Sequence, residues 1–210
     1  MPRVILFAIA GYLSGSILFA NLSARLFHKD ILTKSKDHNP GTANAFMQGG
    51  FFCGIVSLIG DLLKGYFPVY LYFQNSVGQV ELPHAIGGIL GAAIVLAAPV
   101  AGHIFPVFYQ FKGGKGIAVT FGCLLGLYPT IAPVLLFAVV FIFLSVVLRV
   151  SPHYYRTVTA YVATFLLFCI CRMPIDVCAG FLLISIIVVL RLCVSDEPRE
   201  KCRVNFLWKH

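Results

Sequence analysis

Hydrophobicity along this chain comes in long blocks rather than the short alternations of a soluble fold. Apolar stretches cover 4–27, 51–73 and 86–108, each meeting the roughly 20 residues a helix needs to cross a bilayer. Shorter ones follow at 130–148, 157–171 and 175–190. Between Lys115 and the Tyr128-Pro129 turn lies 117–127, about eleven residues, which suits a short or half-membrane helix. The pattern predicts an all-α polytopic membrane protein of about seven transmembrane helices, one of them short. A single transmembrane helical domain is expected over 1–195, followed by a short basic tail over 196–210.

Charge adds an orientation. Arg25, Lys29, Lys34 and Lys36 share one connection, Lys112 and Lys115 another, and Arg149 and Arg156 a third; Arg191, Arg199, Lys201, Arg203 and Lys209 close the chain. The intervening connections hold almost no positive charge: none in 74–83 or at Tyr128-Pro129, and Arg172 alone in 172–174. Because Lys and Arg in short loops stay on the cytoplasmic side, the N-terminus is expected outside and the C-terminus inside. The composition agrees, at 59% hydrophobic and 11% charged residues. The formal charge of +8 is then mainly a topology signal with attraction to anionic membrane lipids. Nucleic acid is excluded as a partner, since the basic residues are divided among short loops and form no aromatic-laced face. Met1-Pro2-Arg3 leads into an apolar run followed by basic residues, which reads as an uncleaved first helix. The seven cysteines sit mostly in apolar segments and read as small buried hydrophobes, with no Cys/His spacing for a metal.

Three places break the apolar pattern. In KSKDHNPGTANAF, Asn39-Pro40-Gly41 is a turn signal, and Asn39, Gly41, Thr42 and Asn44 form a run of small donors beside a helix start. It is either an anion-binding wall or a solvated connector. Asp61 and Lys64, in GDLLKG, lie three residues apart on one helical face within an apolar segment. Charges there cost at least about 2.5 kcal/mol each, so the pair marks a functional path, or it neutralises itself and fixes packing. In AGHIFPVFYQFKGGKGIAVT, Lys112 and Lys115 flank or lie among Gly113, Gly114 and Gly116 ahead of a helix. A glycine turn opening a helix aims N–H groups and a positive dipole end at one point, which suits phosphate. Headgroup anchoring is the plainer alternative for the lysines, and a helix-end polar residue the plainer one for His103. The hairpin does not match the nucleotide P-loop, since position 109 is Tyr and Gly116 follows the lysine.

GHIFPVFYQFKGGKGIAVT closely resembles the second signature motif of the bacterial acyl-phosphate:glycerol-3-phosphate acyltransferases. HNPGTANAF resembles their first motif, and GDLLKG their following helix. The resemblance implies a multi-pass enzyme of the bacterial plasma membrane, its active-site loops facing the cytoplasm. It would carry an acyl group from acyl phosphate to the 1-hydroxyl of glycerol 3-phosphate, without a cofactor, a metal or an acyl-enzyme. By the match, Lys112, Gly113, Gly114, Lys115 and Gly116 hold a substrate phosphate. Asn39, Gly41, Thr42 and Asn44 form the other wall, and Lys115, His103 and Asn44 are the expected catalytic residues.

The chain also departs from the family. Asp37 and Met47 replace a serine and an arginine of the first motif, and Ala43 replaces a threonine. A lost charged hydrogen bond of that kind costs about 1.5–3 kcal/mol. The third motif, of His-Arg-Glu-Asn type, is not recognisable in LRLCVSDEPREKCRVNFLWKH. RVSPHYYR replaces a serine-rich stretch, and His153 and Arg156 are candidates to stand in for the missing groups. The alternatives are therefore a paralogue with another acceptor, one that binds acyl phosphate or anionic lipid without catalysis, or a small anion or lipid transporter built on Asp61 and Lys64.

Overall fold

A computed structural model describes residues 1–31, 33, 35, 39–74, 86–195 and 201–206. These residues are helical almost throughout: α1 Pro2–Gly15, α2 Phe19–Leu26, α3 Thr42–Gly49, α4 Phe51–Gln74, α5 Ile86–Ile104, α6 Ile117–Leu125, α7 Ala132–Ile142, α8 His153–Ile170 and α9 Ile175–Val194. Four helical stretches among the described residues have the length and apolarity to cross a membrane: Pro2–Leu26, Phe51–Gln74, Gly88–Tyr109 and Ile175–Val194. The helix after the lysine hairpin is short, as its sequence predicts, with nine residues. Lys34, Lys36 and Asp37 lie outside the described residues.

The first apolar block is not one helix. It breaks at Ser16–Leu18, between α1 and α2. A break in an apolar segment is tolerated where neighbouring groups satisfy the freed backbone, and here the Ile17 carbonyl accepts from Lys64 Nζ at 2.6 Å. The next connection also holds more structure than expected, because α3 starts at Thr42 immediately after the Asn39-Pro40-Gly41 turn.

Helix α4 sets the geometry. Its face carrying Val56, Ile59, Leu63, Phe67 and Leu71 is exposed, whereas Ser57, Gly60, Asp61, Lys64, Gly65 and Pro68 are buried. The polar stripe thus points into the bundle, and the apolar stripe faces outward as a lipid-facing surface does. Pro68 has no N–H to give the Lys64 carbonyl one helical turn back. Ser14 Oγ of α1 donates to that carbonyl instead, at 3.1 Å. Glycines bring the other helices close: a Cβ at Gly15 would strike the Pro99 backbone, and one at Gly122 the Leu62 carbonyl, tying α1 to α5 and α6 to α4.

The main core lies among α5, α6, α7, α8 and α9 and includes Phe137, Tyr161, Phe168 and Phe181. Tyr161 stacks on Phe181 with centroids 5.6 Å apart. Its hydroxyl meets Thr120 Oγ1 at 2.8 Å, which donates to the Gly116 carbonyl at 2.9 Å. The lysine hairpin is thereby anchored to the core. A small second cluster of Ala20, Ala24, Ile31, Ala45 and Cys53 holds α2 and α3 against α4.

One expectation needs correction. Only Cys53 and Cys123 are buried; Cys169, Cys171 and Cys193 are exposed on the protein, because an apolar membrane segment keeps much of its surface for lipid, and Cys202 is exposed outside the helices. Near the chain end, Ser151 and Arg203 exchange both backbone hydrogen bonds, at 2.9 and 2.8 Å.

Candidate active site

Asp61 and Lys64 project from adjacent turns of α4 and are 1% and 4% exposed. Lys64 Nζ lies 2.8 Å from Asp61 Oδ1 in ionic contact, without an aligned hydrogen bond to that oxygen. Nζ also reaches His103 Nδ1 at 2.8 Å. On the other side of the pair, Thr42 Oγ1 at the start of α3 donates to Asp61 Oδ2 at 2.9 Å and lies 3.4 Å from Ser57 Oγ. The wall that begins at Thr42 is therefore joined to His103 of α5 through the α4 pair.

His103 in turn abuts the hairpin. A Cβ on Gly114 would overlap its imidazole at Nε2, so only glycine fits against the ring. The Gly114 N–H donates to the His103 carbonyl at 3.1 Å, and Arg191 of α9 donates to the Gly113 carbonyl at 3.1 Å. The Gly113-Gly114 peptide is thus clamped at both ends. Gly116 caps α6 with φ of +82°, a left-handed conformation that favours glycine. Past it, the first turn of α6 presents N–H groups that have no partner within the helix.

The other expected residues take these places. Lys112 is exposed on the hairpin and Lys115 half-buried beside Gly116. Asn44 is buried and gives Nδ2 to the Asn39 carbonyl at 2.8 Å, bracing the turn that precedes α3. Asn39 is buried too, with Oδ1 lacking a hydrogen-bond partner among the described residues. Gly41 gives its N–H to Asn39 at 2.9 Å. The expectation that the glycine N–H groups of both loops are open to an anion therefore fails at Gly41 and Gly114, where tight turns use them internally. Met47 is 69% exposed, so the side chain replacing the family's arginine leaves no buried gap. His153 Nδ1 lies 2.9 Å from Thr157 Oγ1 in the first turn of α8.

Sequence reasoning missed three participants: Arg191, Ile17 and Ser14. The charge of Arg191 was visible, but as one of a basic series at the chain end. Ile17 and Ser14 act through a helix break and a proline-freed carbonyl, which apolar periodicity does not reveal.

Known proteins resemble this chain in sequence and fold. A relative from Methylobacillus flagellatus named glycerol-3-phosphate acyltransferase is 36% identical over 139 residues, covering 65% of this chain and 65% of the relative. One of the same name from Pseudomonas aeruginosa is 39% identical over 124 residues, 59% of this chain and 60% of the relative. The aligned region thus spans just under two thirds of these relatives' length. Among solved structures, PlsY, described as an integral membrane glycerol 3-phosphate acyltransferase, superposes in its glycerol 3-phosphate form with a TM-score of 0.71 at 26% identity, covering 90% of this chain and 87% of that one. Its lysophosphatidic acid form gives 0.68 at 27% identity with the same coverage. With the family model for glycerol-3-phosphate acyltransferase matching residues 5–194, this chain belongs to the glycerol-3-phosphate acyltransferase family.

Proposed function

We propose that this chain is a membrane acyltransferase that moves a fatty acyl group from acyl phosphate to the 1-hydroxyl of glycerol 3-phosphate, forming lysophosphatidic acid for phospholipid synthesis. The hydroxyl oxygen bonds to the acyl carbon, the carbon–oxygen bond to phosphate breaks, and inorganic phosphate leaves carrying the hydroxyl proton. The observation that carries this reading is the continuous path from Thr42 through Asp61, Lys64 and His103 to Gly114, which ends at a lysine-bearing hairpin opening α6. Charge grows on the departing phosphate in the transition state, and donors already fixed around it stabilise it without reorganisation.

In this reading Lys115 neutralises the phosphate, helped by Lys112 and the first turn of α6, with Gly113, Gly114 and Gly116 shaping the turn that lets a phosphate approach. His103 donates from the α5 side. Asn39, Gly41, Thr42 and Asn44 form the opposite wall, and co-orientation of two bound substrates supplies much of the remaining acceleration. Neither cofactor nor metal is required. We place the site on the cytoplasmic side of a bacterial plasma membrane, in a seven-segment arrangement with the N-terminus outside and the C-terminus inside. Lys and Arg clustering supports that orientation. Residues 1–195 form one transmembrane domain and 196–210 its cytoplasmic end, with membrane lipid as the surrounding partner.

The second reading is a paralogue that binds acyl phosphate or anionic lipid without turnover, favoured by Met47 and the unmatched third motif. Transport through the α4 pair is disfavoured, since Lys64 is held by Asp61, Ile17 and His103 inside the protein. Purified protein in detergent with palmitoyl phosphate should release phosphate in proportion to added glycerol 3-phosphate. No release with glycerol 3-phosphate or with any of a panel of polyols and phosphopolyols would exclude the enzyme reading.

A further inference from the structure

The buried pair on α4 raises the question of what it does beyond neutralising itself. Lys64 Nζ has three neighbours: the Ile17 carbonyl at 2.6 Å, Asp61 Oδ1 at 2.8 Å and His103 Nδ1 at 2.8 Å. The Ile17 carbonyl only accepts, so Nζ turns an N–H group to it, while Asp61 Oδ1 holds the ammonium by charge without an aligned hydrogen bond. An ammonium has no lone pair, so its contact with the ring is also a donation, and Nδ1 is the acceptor. A neutral imidazole that accepts at Nδ1 carries its one proton on Nε2.

Asp61 does not compete for the ring. Its Oδ1 is 3.8 Å from Nδ1, beyond hydrogen-bond range, and its Oδ2 takes the Thr42 hydroxyl. In a direct carboxylate–histidine pair, Nδ1–H would donate to the carboxylate and leave Nε2 as a base. Here a lysine stands between them and the polarity reverses. The Nε2 edge packs at Gly114, in the hairpin whose neighbouring carbonyl is held by Arg191.

We propose that Lys64 is a positioning residue that locks His103 in the Nε2–H tautomer, so that the ring edge at the glycine hairpin is a hydrogen-bond donor and not a general base. Asp61, itself oriented by Thr42, holds the ammonium in place. The purpose given to that donor, stabilising charge on the departing phosphate, rests on the acyltransferase reading; the lock itself does not.

The test is the nitrogen spectrum of full-length protein in detergent, labelled with 15N at its six histidines. The His103 signals are assigned by their loss in His103→Gln. Wild-type protein should show a pyridine-type Nδ1 and a protonated, pyrrole-type Nε2. In Lys64→Met that pattern should change, and phosphate release from palmitoyl phosphate should fall by about tenfold or more in kcat with a smaller change in KM. A proton on Nδ1, or on both nitrogens, in the wild-type protein overturns the lock without need of any variant. An unchanged Nε2–H pattern in folded Lys64→Met overturns the role of Lys64. The expected spectrum in a protein with no turnover on any acceptor would sustain the lock and exclude the enzyme, whereas a wrong spectrum with full turnover would do the reverse.

Discussion

Gly114 has no space for even one added carbon, because His103 fills the position where a Cβ would stand. Gly114→Ala should therefore push the imidazole or the hairpin aside, and a displacement on the order of 1 Å at a reacting site costs about a hundredfold in rate. Phosphate release from palmitoyl phosphate measures it, and turnover within a few-fold of wild type would contradict the packing described. The α4 pair makes a second prediction. Lys64→Met leaves the Asp61 carboxylate buried without its cation, a change that costs about 3–5 kcal/mol, whereas removing both charges together is far milder. Thermal unfolding in detergent should accordingly rank Asp61→Leu with Lys64→Met above Lys64→Met alone, while turnover stays reduced in both. At this scale the sequence was informative: spacing placed Asp61 and Lys64 on one face, and the hairpin residues were singled out by composition. What it left open was the partner. Nothing in the spacing of residues 61, 64 and 103 announces that a lysine ammonium is shared between a carboxylate and an imidazole from another helix, because that contact depends on how α4 and α5 pack.

Between elements, the junction of α1 and α4 depends on backbone groups left over by irregularities. Pro68 frees the Lys64 carbonyl and Ser14 Oγ takes it up, while the break after α1 frees the Ile17 carbonyl and Lys64 Nζ takes that up. Ser14→Ala should destabilise the protein by about 1 kcal/mol, the ordinary worth of one such bond. In a Pro68→Ala background the residue at 68 regains an N–H for the Lys64 carbonyl, so the same Ser14→Ala change should cost much less. Equal costs in the two backgrounds, read as shifts in Tm, would refute the compensation. Helix existence was legible from the long apolar blocks, and the short α6 from its length. The break at Ser16–Leu18 and the helix α3 were not. An unbroken apolar run conceals a break whose polar groups are satisfied from elsewhere, and the small polar residues Thr42 and Asn44 that open α3 read equally well as a loop.

For the whole molecule, the basic connections support the proposed orientation, which labelling can check. Cys171, exposed at the end of α8, and Cys202, exposed near the chain end, lie on opposite sides of the membrane in the proposed topology. With the other cysteines replaced by serine, a membrane-impermeant maleimide added to intact bacterial cells should label Cys171 and spare Cys202 until the membrane is opened. The reverse order would invert the topology and put the hairpin outside. That whole-molecule scale is where family resemblance gave most and geometry added a restriction: the glycine hairpin is clamped by His103 and Arg191, so its cation is presented on a rigid turn rather than a mobile loop. The most direct test is formation of lysophosphatidic acid, followed by mass spectrometry, from palmitoyl phosphate and glycerol 3-phosphate by wild-type protein and Lys115→Ala. Product from the wild type and its loss by about a hundredfold or more in the variant is the predicted result, the scale reached when a donor to developing charge is removed. Equal product from both, or none from the wild type, would contradict the proposed function of the hairpin.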